Sequence, residues 1–191
     1  MKEDLKVEDI EPKESEYFIE FNNVDFSYNK KELNLENINL HPNITSIGNH
    51  SFENTAISEL DFTKGEPDIP ESCLGIGIGA FRECRNLEKV KLSQRITYLA
   101  DKLFEDCTEL KEVGFAKNLR VIGQAVFRNC SLLNEMMDIP DSVTEIHETA
   151  FENCSKELVF IVDNNDYVIE YAGKNNFDYI VNSINQSQFE F

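Results

Sequence analysis

Basic residues are scarce in this 191-residue chain, where 18 Lys and Arg face 36 Asp and Glu for a formal net charge of −18. No basic cluster offsets that excess, so phosphate backbones and anionic lipid surfaces are repelled, and nucleic acid and membrane surfaces drop out as partners. Long apolar runs are missing too. Nothing approaches the roughly 18 residues of a membrane span, so no membrane insertion is expected. The start, Met1-Lys2-Glu3-Asp4-Leu5, lacks the apolar stretch of a signal peptide and shows no export address. No C-x-x-C pair occurs and the three histidines are scattered, which argues against zinc. Gly75-Ile76-Gly77-Ile78-Gly79 is followed by no G-x-x-x-x-G-K-[ST] pattern, so it reads as repeat rather than phosphate loop. Asp163-Asn164-Asn165-Asp166 lacks EF-hand spacing and its closing Glu, and reads as a turn. Neither metal nor cofactor is expected.

What the chain does contain is self-similarity. Phe81/Cys84, Phe104/Cys107, Phe127/Cys130 and Phe151/Cys154 repeat one pattern at intervals of 23, 23 and 24 residues, and Phe52 heads a further copy with Thr55 in the cysteine slot. A fixed period in this range marks a stacked solenoid. In each copy, a β-branched Ile-Thr-x-Ile stretch precedes Gly-x-x-Ala-Phe-x-x-Cys, and Leu-x-x-Val-x-Leu follows. These predict strand, one helical turn, strand. The fold class is therefore an α/β repeat solenoid, mainly β, with short parallel strands and one helical turn per 23–24-residue rung.

Residues 1–16 read as a mobile acidic tail and 17–43 as an N-terminal cap with a degenerate repeat. The solenoid spans 44–162, with a surface loop at 63–68, and 163–181 form a C-terminal cap. Residues 182–191 read as a frayed tail. At the end of the array, Leu158 to Val162 is a continuous apolar run that predicts a strand buried on both faces. Asp166 is the expected N-cap of a helix over Tyr167 to Ala172 closed by Gly173, and Phe177 to Val181 the last strand.

Four of the five cysteines share one repeat phase, and Cys73 stands where Val143 stands in a later copy. Small buried thiols filling one slot per rung explain this. Parallel strands at about 4.8 Å do bring Cα atoms within disulfide range. In-register stacking nevertheless keeps Cβ atoms beyond the roughly 3.8 Å that a disulfide prefers, which favours free thiols. His147, flanked by Glu145 and Glu148, has only Ser142 and Cys154 as nearby nucleophiles, all at repeat positions, so no enzyme is expected.

The pattern Ile139-Pro140-x-Ser142-Val143-Thr144-x-Ile146, continued by Ala150-Phe151-x-x-Cys154, resembles the BspA-type leucine-rich repeats of bacterial and protist surface proteins. The likeness covers about residues 44–162. Asp163 to Val181, with Tyr171-Ala172-Gly173-Lys174-Asn175-Asn176, is similar to the tail that closes such arrays. The resemblance implies a curved solenoid used for protein binding or adhesion, with a cell-surface or secreted location. The missing signal peptide supports an alternative, an intracellular interaction scaffold of the same fold. On the Leu-x-x-Val-x-Leu strands the outward positions are predicted to be Glu59, Asp61, Lys89, Lys91, Glu112, Gly114, Glu135 and Met137. That strip, as columns along one sheet, is the expected contact face for a protein partner.

Overall fold

The protein is described by a computed structural model over residues 46–62, 75–133 and 136–182. The expected N-terminal tail and cap, residues 183–191 of the expected C-terminal tail, the 63–68 loop, Cys73 and Glu135 lie outside these residues, whereas Asn182 N–H donates to Val162 O at 2.8 Å. Each rung contributes two short strands. The first set is β1 (Ser46–Ile47), β3 (Gly75–Ile76), β5 (Tyr98–Leu99), β7 (Val121–Ile122) and β9 (Glu145–Ile146). The second is β2 (Glu59–Asp61), β4 (Lys89–Lys91), β6 (Glu112–Gly114), β8 (Met136–Asp138), β10 (Val159–Val162) and β11 (Asp178–Val181). Pairing is parallel throughout: β1–β3 and β5–β7–β9 on one side, β2–β4–β6 and β8–β10–β11 on the other. The strand hydrogen bonds link separate rungs, so each rung depends on its neighbours for backbone pairing as well as for its core.

The repeat phenylalanines form one column through that core. Phe52, Phe81, Phe104, Phe127 and Phe151 stack with ring centroids 5.4, 5.9, 5.7 and 5.1 Å apart and planes within 19°. Full burial of such a ring contributes about 1.5–3 kcal/mol, and a well-placed aromatic pair about 0.5–1.5 kcal/mol more.

The segment around each Phe is tighter than one helical turn. In the first four copies the residues two before and two after it take left-handed backbone: His50 and Asn54, Gly79 and Glu83, Lys102 and Asp106, Ala125 and Asn129, with φ between 55° and 64°. Such conformations cost about 1–3 kcal/mol each outside glycine unless surrounding bonds hold them. Here they rotate alternate amides along the stack. Gly79 N–H donates to Asp101 O at 2.9 Å, Phe81 N–H to Leu103 O at 3.1 Å and Glu83 N–H to Glu105 O at 2.8 Å. The amides between them close turns inside the rung, as Arg82 N–H does on Gly79 O at 3.0 Å. The bend therefore carries its own ladder between rungs. Gly123, by contrast, has no positive φ. A Cβ there would lie 2.6 Å from Asp101 Oδ1 and 2.8 Å from Leu99 O, so close backbone approach rather than a bend requires the glycine.

The array ends differently from expectation in two places. Helix α1 runs Asp166–Asn175, and its N-cap is Asn165, whose side chain accepts from Val168 N–H at 3.2 Å. Asn165 also donates to Asp141 O at 3.1 Å and Val143 O at 2.8 Å. A carboxylate such as Asp166 has no donor for those carbonyls. Gly173 lies inside the helix, and Asn176, with φ 59°, closes it. Strand β10 buries Phe160 and Val162, whereas Val159 and Ile161 are only half-buried, so one of its faces reaches the surface.

Candidate interaction surface

On β2–β4–β6 the strand register aligns two columns of residues, although the Asp61 side chain is only 10% exposed. Glu59, Lys89 and Glu112 stand in register, as do Asp61, Lys91 and Gly114. Lys89 pairs with Glu112, Lys91 Nζ lies 3.9 Å from Asp61 Oδ2, and Lys111 Nζ lies 3.0 Å from Glu88 Oε2. The hydrogen bond to Glu112 raises the pKa of Lys89 above its ordinary value. Acid and base alternate from rung to rung, so a partner meets a patterned surface and not a field of one sign. Paired charges of this kind steer association and register more than they add affinity.

The second half departs from the prediction at Met137. That side chain is buried at 3% exposure, whereas Met136 is 66% exposed and Asp138 also faces out. The cause is one inserted residue. Leu87 to Val90 and Leu110 to Val113 are three apart, but Leu133 to Met137, the next pair of core residues, is four apart. A shift of one residue along a strand exchanges its faces. The outward columns here are Met136, Val159 and Asp178, and Asp138, Ile161 and Ile180. Burial, reinforced by Asp163 and Asp141, raises the pKa of Asp138. The face thus changes from charged on β2–β4–β6 to largely apolar on β8–β10–β11.

A second constellation on the turns escaped the sequence reading. The residue after each repeat Phe reads Glu53, Arg82, Glu105, Arg128, Glu152, and the rungs stack these into alternating pairs. Arg82 Nη1 lies 2.6 Å from Glu53 Oε1 and its Nε 2.8 Å from Glu105 Oε2. Arg128 holds the other oxygen of Glu105 and lies 3.9 Å from Glu152. Glu105 is only 2% exposed, so this acid sits between two guanidinium groups within the protein. Beside it, Asn153 donates to Asn129 at 2.9 Å and Asn129 to Asp106 at 2.7 Å. The signal was present as strict charge alternation at one repeat position.

Residues with catalytic potential are engaged elsewhere. His147 Nδ1 lies 2.9 Å from Thr149 Oγ1 and accepts from Thr149 N–H at 3.2 Å. Ser142 donates to Leu119 O at 2.6 Å or Lys117 O at 2.7 Å. Cys84, Cys107, Cys130 and Cys154 are free thiols, each donating to the phenylalanine carbonyl one rung earlier at 3.1–3.2 Å. Burial pushes all four thiols up, Cys154 to about 12. Among the described residues no group of His, Cys, Asp and Glu is arranged to hold a metal ion, and no helix is long and apolar enough to cross a membrane.

The thiol column carries a prediction. In a Cys73→Ser background, a colourimetric thiol reagent at pH 8 reacts slowly with the folded protein and rapidly with all four cysteines in denaturant. Because the folded thiols have raised pKa values, their contribution to stability is complete below the unfolded pKa near 9 and declines as pH rises from there towards 12. A midpoint of denaturation that stays flat between pH 8 and 11 would contradict the column.

Residues 15–74 and 65–180 match the sequence profile of the BspA type leucine rich repeat region, in 6 copies. Among solved structures, a leucine rich cell surface protein from Faecalibacterium prausnitzii A2-165 is 30% identical with a TM-score of 0.54, over 73% of this chain and 31% of that one. The T. pallidum leucine rich repeat protein is 28% identical with a TM-score of 0.52, over 62% of this chain and 54% of that one. A leucine-rich repeat protein from Bacteroides ovatus ATCC 8483 shares the fold at 24% identity and a TM-score of 0.55, over 75% and 39%. The matched part spans about a third to a half of these proteins. No curated protein matches the chain.

Proposed function

Because the chain belongs to the BspA-type leucine-rich repeat family, we propose that it is a non-enzymatic protein-interaction module whose partner lies across the strand face of β2, β4 and β6. The observation that carries this reading is the register of alternating charges, exposed at Glu59, Lys91 and Glu112, half-buried at Lys89 and nearly buried at Asp61. Met136 continues the face, replacing the buried Met137. Such a surface recognises an extended, charge-patterned protein segment running along the stack. The engagement of His147, Ser142 and Cys154 in local hydrogen bonds supports a binding role over catalysis.

We also propose an adhesive role at a cell surface, supported by the description of the Faecalibacterium prausnitzii relative as a cell surface protein. Impermeant biotinylation of intact source cells labels the protein on this reading, and labelling only after lysis would reject it. For the face, a variant combining Glu59→Lys, Lys89→Glu, Lys91→Glu and Glu112→Lys, with its circular dichroism unchanged, is expected to weaken a purified partner at least 10-fold. Unchanged affinity for every partner would remove the proposed face.

A further inference from the structure

The rule that stacks one turn on the next is left incomplete at the last rung. Phe104 N–H and Asp106 N–H donate to Val126 O and Arg128 O at 2.9 Å, and Phe127 N–H and Asn129 N–H to Ala150 O and Glu152 O at 2.8 and 2.9 Å. The equivalent amides of the last turn, Phe151 and Asn153, have no acceptor among the described residues. Their neighbours do: Ala150 N–H reaches His147 O at 2.9 Å, Glu152 N–H reaches Thr149 O at 3.2 Å and Cys154 N–H reaches Phe151 O at 3.2 Å. Thr149, at the position that is left-handed in earlier rungs, has no positive φ and turns its amide onto His147 Nδ1. The strand side of the rung is covered by β11 and the helix, but the turn side opens into a cleft of about 670 Å³ lined in part by Glu152, Asn153, Lys156, Asn176 and Phe177.

The charge ladder stops at the same place. Glu152 is 49% exposed and meets Arg128 only at 3.9 Å, so the alternation ends on an acid whose outer side is open. Every earlier acid in the column is followed by an arginine one rung on. We infer that this cleft binds an extended protein segment bearing an arginine, which adds to the array as a further turn. Its carbonyls accept from Phe151 N–H and Asn153 N–H, and its guanidinium closes the ladder on Glu152. Charge selects the occupant. The chain's own residues 183–191 contain no Lys or Arg, and a second copy brings another formal charge of −18. The inference deepens the interaction-module reading but uses a different surface from the strand strip, so the two fail independently.

The probe is a fluorescein-labelled peptide of residues 121–131 with serine at the Cys130 position, which reproduces a turn containing Arg128. It is titrated with the full chain by fluorescence anisotropy, beside a control peptide in which that arginine is glutamate. The expected result is at least a 5-fold preference for the arginine peptide, lost in Glu152→Gln and retained in the strip variant described above. In ¹⁵N spectra, the amides of Phe151 and Asn153 shift on addition of the peptide. Equal binding of both peptides, or unchanged binding to Glu152→Gln, would overturn the inference. So would binding that appears only after residues 183–191 are deleted, because the tail would then be the natural occupant.

Discussion

Phe127→Ala lowers the stability of the protein by about 3–5 kcal/mol, the range for truncating a fully buried aromatic. The expectation rests on position as well as residue type. Phe127 is fully buried, stacks on Phe104 at 5.7 Å and on Phe151 at 5.1 Å, and meets the edge of Phe115 at 5.9 Å. Removing the ring opens a void between three rungs whose backbones are tied by hydrogen bonds, so little collapse can fill it. Its amide donates to Ala150 O at 2.8 Å and its carbonyl accepts the Cys154 thiol at 3.1 Å, which fixes the backbone around the void. Equilibrium unfolding in urea measures the loss. A change below about 1 kcal/mol would mean the column does not carry the core. Because each rung contacts mainly its neighbours, the variant is also expected to unfold less cooperatively, with fraying on one side of the defect.

The second large effect belongs to the buried acid. Arg82→Ala and Arg128→Ala are each expected to cost about 1 kcal/mol, because both guanidiniums are about a third exposed and Glu105 keeps one cation in either case. The double variant removes both and leaves a 2%-exposed carboxylate without a counter-charge, which costs about 3–5 kcal/mol. The loss should exceed the sum of the single variants. Adding Glu105→Gln to the double variant should recover part of it, since the uncompensated charge is then gone. Denaturant unfolding of the four variants decides the point. Additive losses, or no recovery with glutamine, would show that Glu105 is solvated well enough to stand alone.

The inward residues were legible from the repeat because burial follows a local period. Phe81, Phe104 and Phe127, the cysteines behind them and Val90 and Val113 all fall where that period puts them. Met137 was not legible. One residue inserted after Leu133 leaves the pattern of apolar letters almost intact while exchanging which methionine faces the core. The turn conformations were hidden for a related reason. Gly-x-x-Ala-Phe-x-x-Cys has spacings compatible with a helical turn, and what replaces that turn is the recruitment of alternate amides by the next rung, a partner 22–28 residues away in most cases. The helix cap moved from Asp166 to Asn165 because Asp141 and Val143 present two carbonyls that need a donor, and those acceptors come from an earlier rung.

By itself, then, the sequence determined the period, the core columns, the solenoid class and the family, all of which follow from which residues recur and at what spacing. Only the tertiary structure decided which side chains share a surface. It placed Glu53, Arg82, Glu105, Arg128 and Glu152 in one column, turned Met136 out and Met137 in, and left the amides of Phe151 and Asn153 without an acceptor among the described residues, in a turn that lines an open cleft. Pairing between rungs is set by stacking, a contact between residues far apart in the chain, and no local pattern specifies it.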